Sequence, residues 1–166
     1  MSTATASREP LQMSPLPDAP WMNLSADFGQ IAPDTYILVI EDEYSRYVVA
    51  ETVTSLTAKS VIPRFDKVFC EFGIRKTLKT DNGSPFDGGD FQKYMNLMGI
   101  HHRRITPLWP CANGETERFM RTVKKVIMET PQNWKQEMFK LLLDYRTTSH
   151  TTTVSWWGRV VQRISN

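Results

Sequence analysis

Cysteine is scarce in this chain: Cys70 and Cys111 lie far apart, and with His101, His102 and His150 they complete no zinc-ligand spacing. A disulfide scaffold is excluded, and reduced thiols without structural zinc are expected. No apolar run approaches the ~20 residues of a membrane span, so no membrane partner is expected. The N-terminus lacks the charged-then-apolar pattern of a secretory signal, which makes an intracellular location the expectation. Charge of one sign is also lacking: 20 Lys+Arg stand against 18 Asp+Glu, so partners must be sought in clusters rather than in the total. Such clusters occur at Arg103–Arg104 and from Arg118 to Lys125.

What is present is enough for one globular domain: 166 residues with 40% hydrophobic side chains support a sizeable core. Residues 1–20 carry Pro10, Pro15, Pro17 and Pro20 among small polar residues and read as a linker or leader. Residues 21–146 hold the periodic segments, and 147–166 form a threonine-rich tail ending SWWGRVVQRISN.

Within the core, Leu24, Ala26 and Phe28 alternate with Asn23, Ser25 and Asp27, as in a half-buried strand with Asp27 on its polar face. Asp27 alternatively ends the strand and begins a turn. Two further runs of β-formers, Tyr36–Glu41 and Arg46–Thr52, flank the turn DEYS and complete an antiparallel meander. Val61, Ile62, Phe65, Val68, Phe69 and Phe72 have helical spacing with Gly73 as the stop, and Pro63 fits best if the helix begins near Ser60. A short strand, 76–80, delivers Asp81-Asn82-Gly83 at its end, either as plain turn chemistry or as a site. A helix carrying Phe91, Tyr94, Met95 and Met98 ends at Gly99, and 100–106 reads as the last strand. Adjacent strand residues point to opposite faces, so His101 and His102 read as ordinary strand residues.

The stretch Thr106–Lys125, TPLWPCANGETERFMRTVKK, is a loop feeding a helix capped by Asn113. At ~100° per residue, Phe119, Val123, Val126 and Ile127 make one buried stripe, with Glu117, Arg121 and Lys124 on the other side. An acid one turn below an arginine and two below a lysine suits a metal-and-phosphate site. Acids near a helix N-terminus and a solvated basic face account for the same pattern. After the break at Pro131, Trp134, Met138, Leu141, Leu142 and Tyr145 form a final amphipathic helix.

The LSADF strand, the YSRY turn, TDNG, the long loop-and-helix string, NWKQE and DYRTT…HTTT, in this order, resemble the catalytic core of a retroviral-type integrase, closest to gypsy-class LTR retrotransposons. Thirty-five residues separate Asp81 from Glu117, the spacing for which that family is named. The resemblance implies an α/β, ribonuclease-H-like fold with a five-stranded mixed sheet flanked by helices. It implies that Asp27, Asp81 and Glu117 are the catalytic carboxylates and ligands of two Mg²⁺ (or Mn²⁺) ions. Oxygen ligands select such hard ions, and a pair ~3.5–4 Å apart stabilises both oxygens of an in-line phosphodiester displacement. It further implies 3′-end processing and strand transfer of DNA, phosphate contacts from Arg121 and Lys124, Asn113 near the terminal bases, a homodimer or larger assembly, and nuclear location. Against the family pattern, no His-His-Cys-Cys domain precedes the core and no basic module follows it, as in a fragment of a longer pol product. Ser149 stands where a proline is usual, and the sequence after Ser155 departs from the family. A catalytically silent DNA-binding or dimerisation module, and a ribonuclease H acting on RNA–DNA hybrids, are the competing readings.

Overall fold

The computed structural model describes residues 18–73, 76–105 and 114–148, with side chains in the last segment from Arg118 onward. Asn113, Trp109, Cys111 and the tail beyond Thr148 therefore lie outside the described residues. The order is β1 (Asn23–Ala32), β2 (Thr35–Asp42), β3 (Val48–Val53), α1 (Ala58–Phe72), β4 (Thr77–Thr80), α2 (Gly89–Leu97), β5 (His101–Arg104), α3 (Gly114–Glu129) and α4 (Trp134–Thr147). The strands form one mixed sheet in the order β3-β2-β1-β4-β5. The meander pairs antiparallel, whereas β4 joins β1, and β5 joins β4, in parallel. This is the expected five-stranded ribonuclease-H-like arrangement.

Each face of the sheet has its own core. Leu24, Ala26, Leu38, Ile40 and Leu78 pack against Val61, Phe65, Val68 and Phe69 of α1 and Phe91 and Met95 of α2. On the opposite face, Ile37, Val39 and Val48 meet Phe119, Met120, Val123 and Ile127 of α3 and Met138 and Leu142 of α4. Arg146 ties α4 to the sheet by donating from Nη2 and Nε to the Val48 carbonyl at 2.7 and 3.0 Å.

Three local expectations are corrected. The first strand is buried on both faces, not half-buried, because it lies at the centre of the sheet with helices on either side. Leu24, Ser25 and Ala26 are 0%, 3% and 0% exposed. It also continues past Asp27 to Ala32, so Asp27 sits within a strand rather than at a turn. The first helix begins at Ala58, two residues earlier than expected. Thr57 caps it by accepting from Ser60 N, and Pro63 lies inside. The proline deprives the Lys59 carbonyl of its intrahelical donor, but Pro63 is on the exposed side while the flanking Val61 and Phe65 are fully buried. The last strand is shorter than 100–106, although Ile105 N still donates to Thr80 O at 2.7 Å.

The close approach of α3 to β1 depends on Gly29. A Cβ there would overlap Met120 Sδ and lie 3.0 Å from Lys124 Cε. Gly29→Ala is expected to lower stability by about 1–3 kcal/mol, the usual cost of overpacking. Met120→Ala in that background should recover less than it costs alone, because the thioether is both the obstacle and a buried contact. Urea denaturation of the two single variants and the double measures both terms.

Candidate active site

The parallel ladder between β1 and β4 pairs Asn23 with Thr77, Leu24 with Leu78 and Ser25 with Lys79. Extended by two residues along both strands, one of them past the end of β4, that register sets Asp27 and Asp81 at the same level. Strand alternation also gives them the same face. Leu24, Ala26 and Leu78 belong to the α1/α2 core, whereas Gly29 faces Met120 of α3. Asp27 and Asp81 are thus placed on the α3 side, on adjacent strands. Asp27 is half-buried in the strand, and its Oδ1 accepts from Phe28 N at 2.8 Å. Asp81 is exposed immediately beyond β4, and its Oδ1 accepts from Gly83 N at 3.1 Å, closing a local turn.

Asp81 is held from below by a chain of polar contacts. Thr80, fully buried, donates its hydroxyl to the Asp81 carbonyl at 2.8 Å. Its only proton being used there, the hydroxyl accepts from His102 Nε2, also 2.8 Å away. The His102 ring stands edge-on to Phe91 and Phe86, and His101 is exposed on the other face. His102 is therefore a support of the turn rather than a bare strand residue. A signal for it was the match in parity between His102 and Thr80 once the two strands pair.

One level below the carboxylates is a second polar layer that sequence reasoning missed. Ser25 and Lys79 are 3% and 6% exposed, and the Lys79 ammonium lies 2.8 Å from the Glu43 carboxylate. Beside them, buried Glu41 meets Arg46 at 3.3 Å. The available signal was the repeat of two: Ser25 precedes Asp27 as Lys79 precedes Asp81.

Helix α3 corrects the expected stripe. Phe119, Val123 and Ile127 are buried as expected, but Met120 joins them and Val126 is only half-buried. Met120 lies toward the line of Glu117, Arg121 and Lys124 on the helical wheel. That line consequently forms the shoulder of α3 rather than its opposite side, as the approach of Lys124 Cε to Gly29 demonstrates. Arg121 and Lys124 are exposed. Glu117 is in the first turns of α3, one turn ahead of Met120, but its side chain lies outside the described residues. Asp27 and Asp81 are brought together, and Glu117 is placed on the helix that covers their face.

Among the described residues, no three His, Cys, Asp or Glu side chains gather as a metal-ligand set. The paired carboxylates nevertheless fit a hard divalent cation in chemistry: their donors are oxygens, and one of them is open to solvent.

Burial holds the His102 pKa below the usual 6.5, with Arg104 and His101 acting in the same direction. On acidification the unfolded chain binds this proton first, so stability present above about pH 6.5 is lost as the pH falls toward the folded-state value. The urea midpoint should fall between about pH 7 and pH 5.5, and His102→Gln should flatten that dependence. An equally steep profile in the variant would assign the effect elsewhere.

Comparison with known proteins agrees with this fold. A family model described as the integrase core domain matches residues 18–110, over half the chain, a segment that contains both aspartates and ends before α3. The chain is 30% identical over 145 residues, 86% of its length, to the uncharacterized protein K02A2.6 of Caenorhabditis elegans. It is 26% identical over 166 residues, 94% of its length, to the Transposon Tf2-3 polyprotein of Schizosaccharomyces pombe. It spans only 11% and 12% of the lengths of those two proteins. On the matched segment and the relative that shares 30% of its residues, this chain belongs to the integrase core domain family.

Proposed function

We propose that this chain is the catalytic core of a retroelement integrase of the gypsy class, one segment of a longer pol product. It trims the 3′ ends of element DNA and joins them to target DNA in the nucleus. The observation that carries the proposal is the β1–β4 register, which brings Asp27 and Asp81 to one level on the face covered by α3.

Asp27, Asp81 and Glu117 are the residues that would hold Mg²⁺ or Mn²⁺. When bound, such an ion supplies Lewis-acid stabilisation of charge on the phosphodiester oxygens. Asp27, fixed within β1, gives the rigid wall of the site, and exposed Asp81 gives the side open to DNA. Glu117, carried by α3, would supply the third carboxylate. No side-chain nucleophile is required, since water or a DNA 3′ hydroxyl attacks. Arg121 and Lys124 would bind backbone phosphates and position DNA without reading its sequence, and by the same resemblance Asn113 is assigned to the terminal bases. Phe139 and Leu143, 63% and 62% exposed and one turn apart on α4, offer an apolar surface for self-association.

The test is resealing of a branched DNA that mimics a joined product, in Mn²⁺, a reaction that requires little beyond the core. Wild-type protein should reseal it. Asp81→Asn and Glu117→Gln should each reduce the rate by at least about a hundredfold, as loss of transition-state charge stabilisation does. Asp81→Asn should leave the melting temperature unchanged or raised, because the amide oxygen still accepts from Gly83 N while the charge beside Asp27 is removed. Cleavage of an RNA–DNA hybrid in place of resealing would favour the ribonuclease H reading. A folded but inert wild-type protein would favour a silent DNA-binding module.

A further inference from the structure

Lys79 is out of keeping with its neighbours. It stands in β4 between fully buried Leu78 and Thr80, its side chain 7% exposed, and its ammonium pairs with a Glu43 carboxylate that is itself 14% exposed. Buried ion pairs seldom stabilise a fold more than apolar side chains of the same volume, so the location of this pair invites a functional reason.

That location is specific. Lys79 is the register partner of Ser25, on the α3 face, two residues before Asp81 and level with the residue two before Asp27. Two strand residues span about 6.6 Å, a distance its four-carbon stem can cover. Glu43 lies on the far side of β1, where its amide donates to the Asn23 carbonyl at 3.0 Å. The bridge therefore crosses β1 diagonally, toward the end of the strand opposite to Asp27. It turns the ammonium away from the carboxylate pair. Glu41, the other acid of this layer, is engaged by Arg46 at 3.3 Å.

We infer that Glu43 is a tether: it holds the Lys79 ammonium away from Asp27 and Asp81 and so leaves those carboxylates to a divalent cation. Glu43 and Lys79 are positioning residues, and the inference rests on the cation-binding role given above to Asp27 and Asp81. Without the Glu43 carboxylate, the ammonium remains too buried to reach solvent freely. The acids left on its own face are then Glu41, already engaged by Arg46, and Asp81 and Asp27 toward the other end of the strands. Lys79 becomes an internal competitor for the cation.

The test is calorimetric titration of the full chain with MnCl₂, with melting temperatures recorded in parallel. Glu43→Gln should weaken Mn²⁺ binding by about tenfold or more, in the range found for residues that orient metal ligands. Lys79→Met added to Glu43→Gln should restore affinity to within about threefold of wild type, because the competitor is gone. Glu43→Asp, which keeps the tether and shortens it, should bind as tightly as wild type; it also carries the test if Glu43→Gln does not fold. Equal affinity in wild type and Glu43→Gln, a double variant no better than the single, or weakened binding in Glu43→Asp would each overturn the tether while leaving the functional reading standing. A wild-type protein that binds no Mn²⁺ would overturn both.

Discussion

The parallel pairing of β1 with β4 joins the antiparallel meander to the second half of the sheet and sets the level at which the chain leaves β4 toward Asp81. β4 has four residues, and a slip of one would turn Asp81 to the opposite face of the sheet. Its backbone ladder alone is too short to fix the register firmly. Side chains do so: Leu78 is committed to the α1/α2 core, Lys79 to Glu43, and Thr80 to His102 and the Asp81 carbonyl. Helix α1 carries the chain from β3 over one face of the sheet, the kind of crossover that a parallel partner for β1 requires.

The α3 face is divided along β1. Toward the hairpin with β2, Gly29, Ile37, Val39 and Met120 form an apolar region into which α3 settles. Toward the strand's beginning, Ser25, Glu41, Glu43, Lys79 and Arg46 form a buried polar region in which charges meet in pairs. Asp27 stands at the boundary between them. A carboxylate there is held by a rigid strand yet remains next to the open end of β4. Such a boundary favours a site that gathers cations, since apolar packing fixes its walls and polar neighbours keep the carboxylates from being isolated in a low-dielectric interior.

Much of this was legible in the sequence because strands and helices follow periods of two and 3.6. The alternation in NLSADF, the β-rich runs of the hairpin, the glycine stops and the amphipathic helices are each recovered close to their expected bounds. What escaped depends on partners distant in sequence. Burial of β1 on both faces could not be read from its own alternation, because Ser25 is polar and its cover comes from elsewhere in the fold. The Lys79–Glu43 pair joins residues 36 apart, and nothing local marks Glu43 as more than a turn residue. Met120 was overlooked because it borders the charged line of α3, and only its contact with Gly29 makes it core. The three carboxylates are proposed from a resemblance and its spacing. The register supplies the physical reason for two of them, and the position of Glu117 on α3 is consistent with the third.

Whether the β1–β4 register creates one cation site from Asp27 and Asp81 can be read by adding substoichiometric Mn²⁺ to uniformly ¹⁵N-labelled protein and following paramagnetic broadening of backbone amides. The signals of Asp27, Phe28 and Asp81 to Gly83 should broaden together and ahead of all others in the two strands, and Asp81→Asn should abolish the effect in both segments. Broadening of one segment without the other, or broadening at Asp27 that survives Asp81→Asn undiminished, would contradict it.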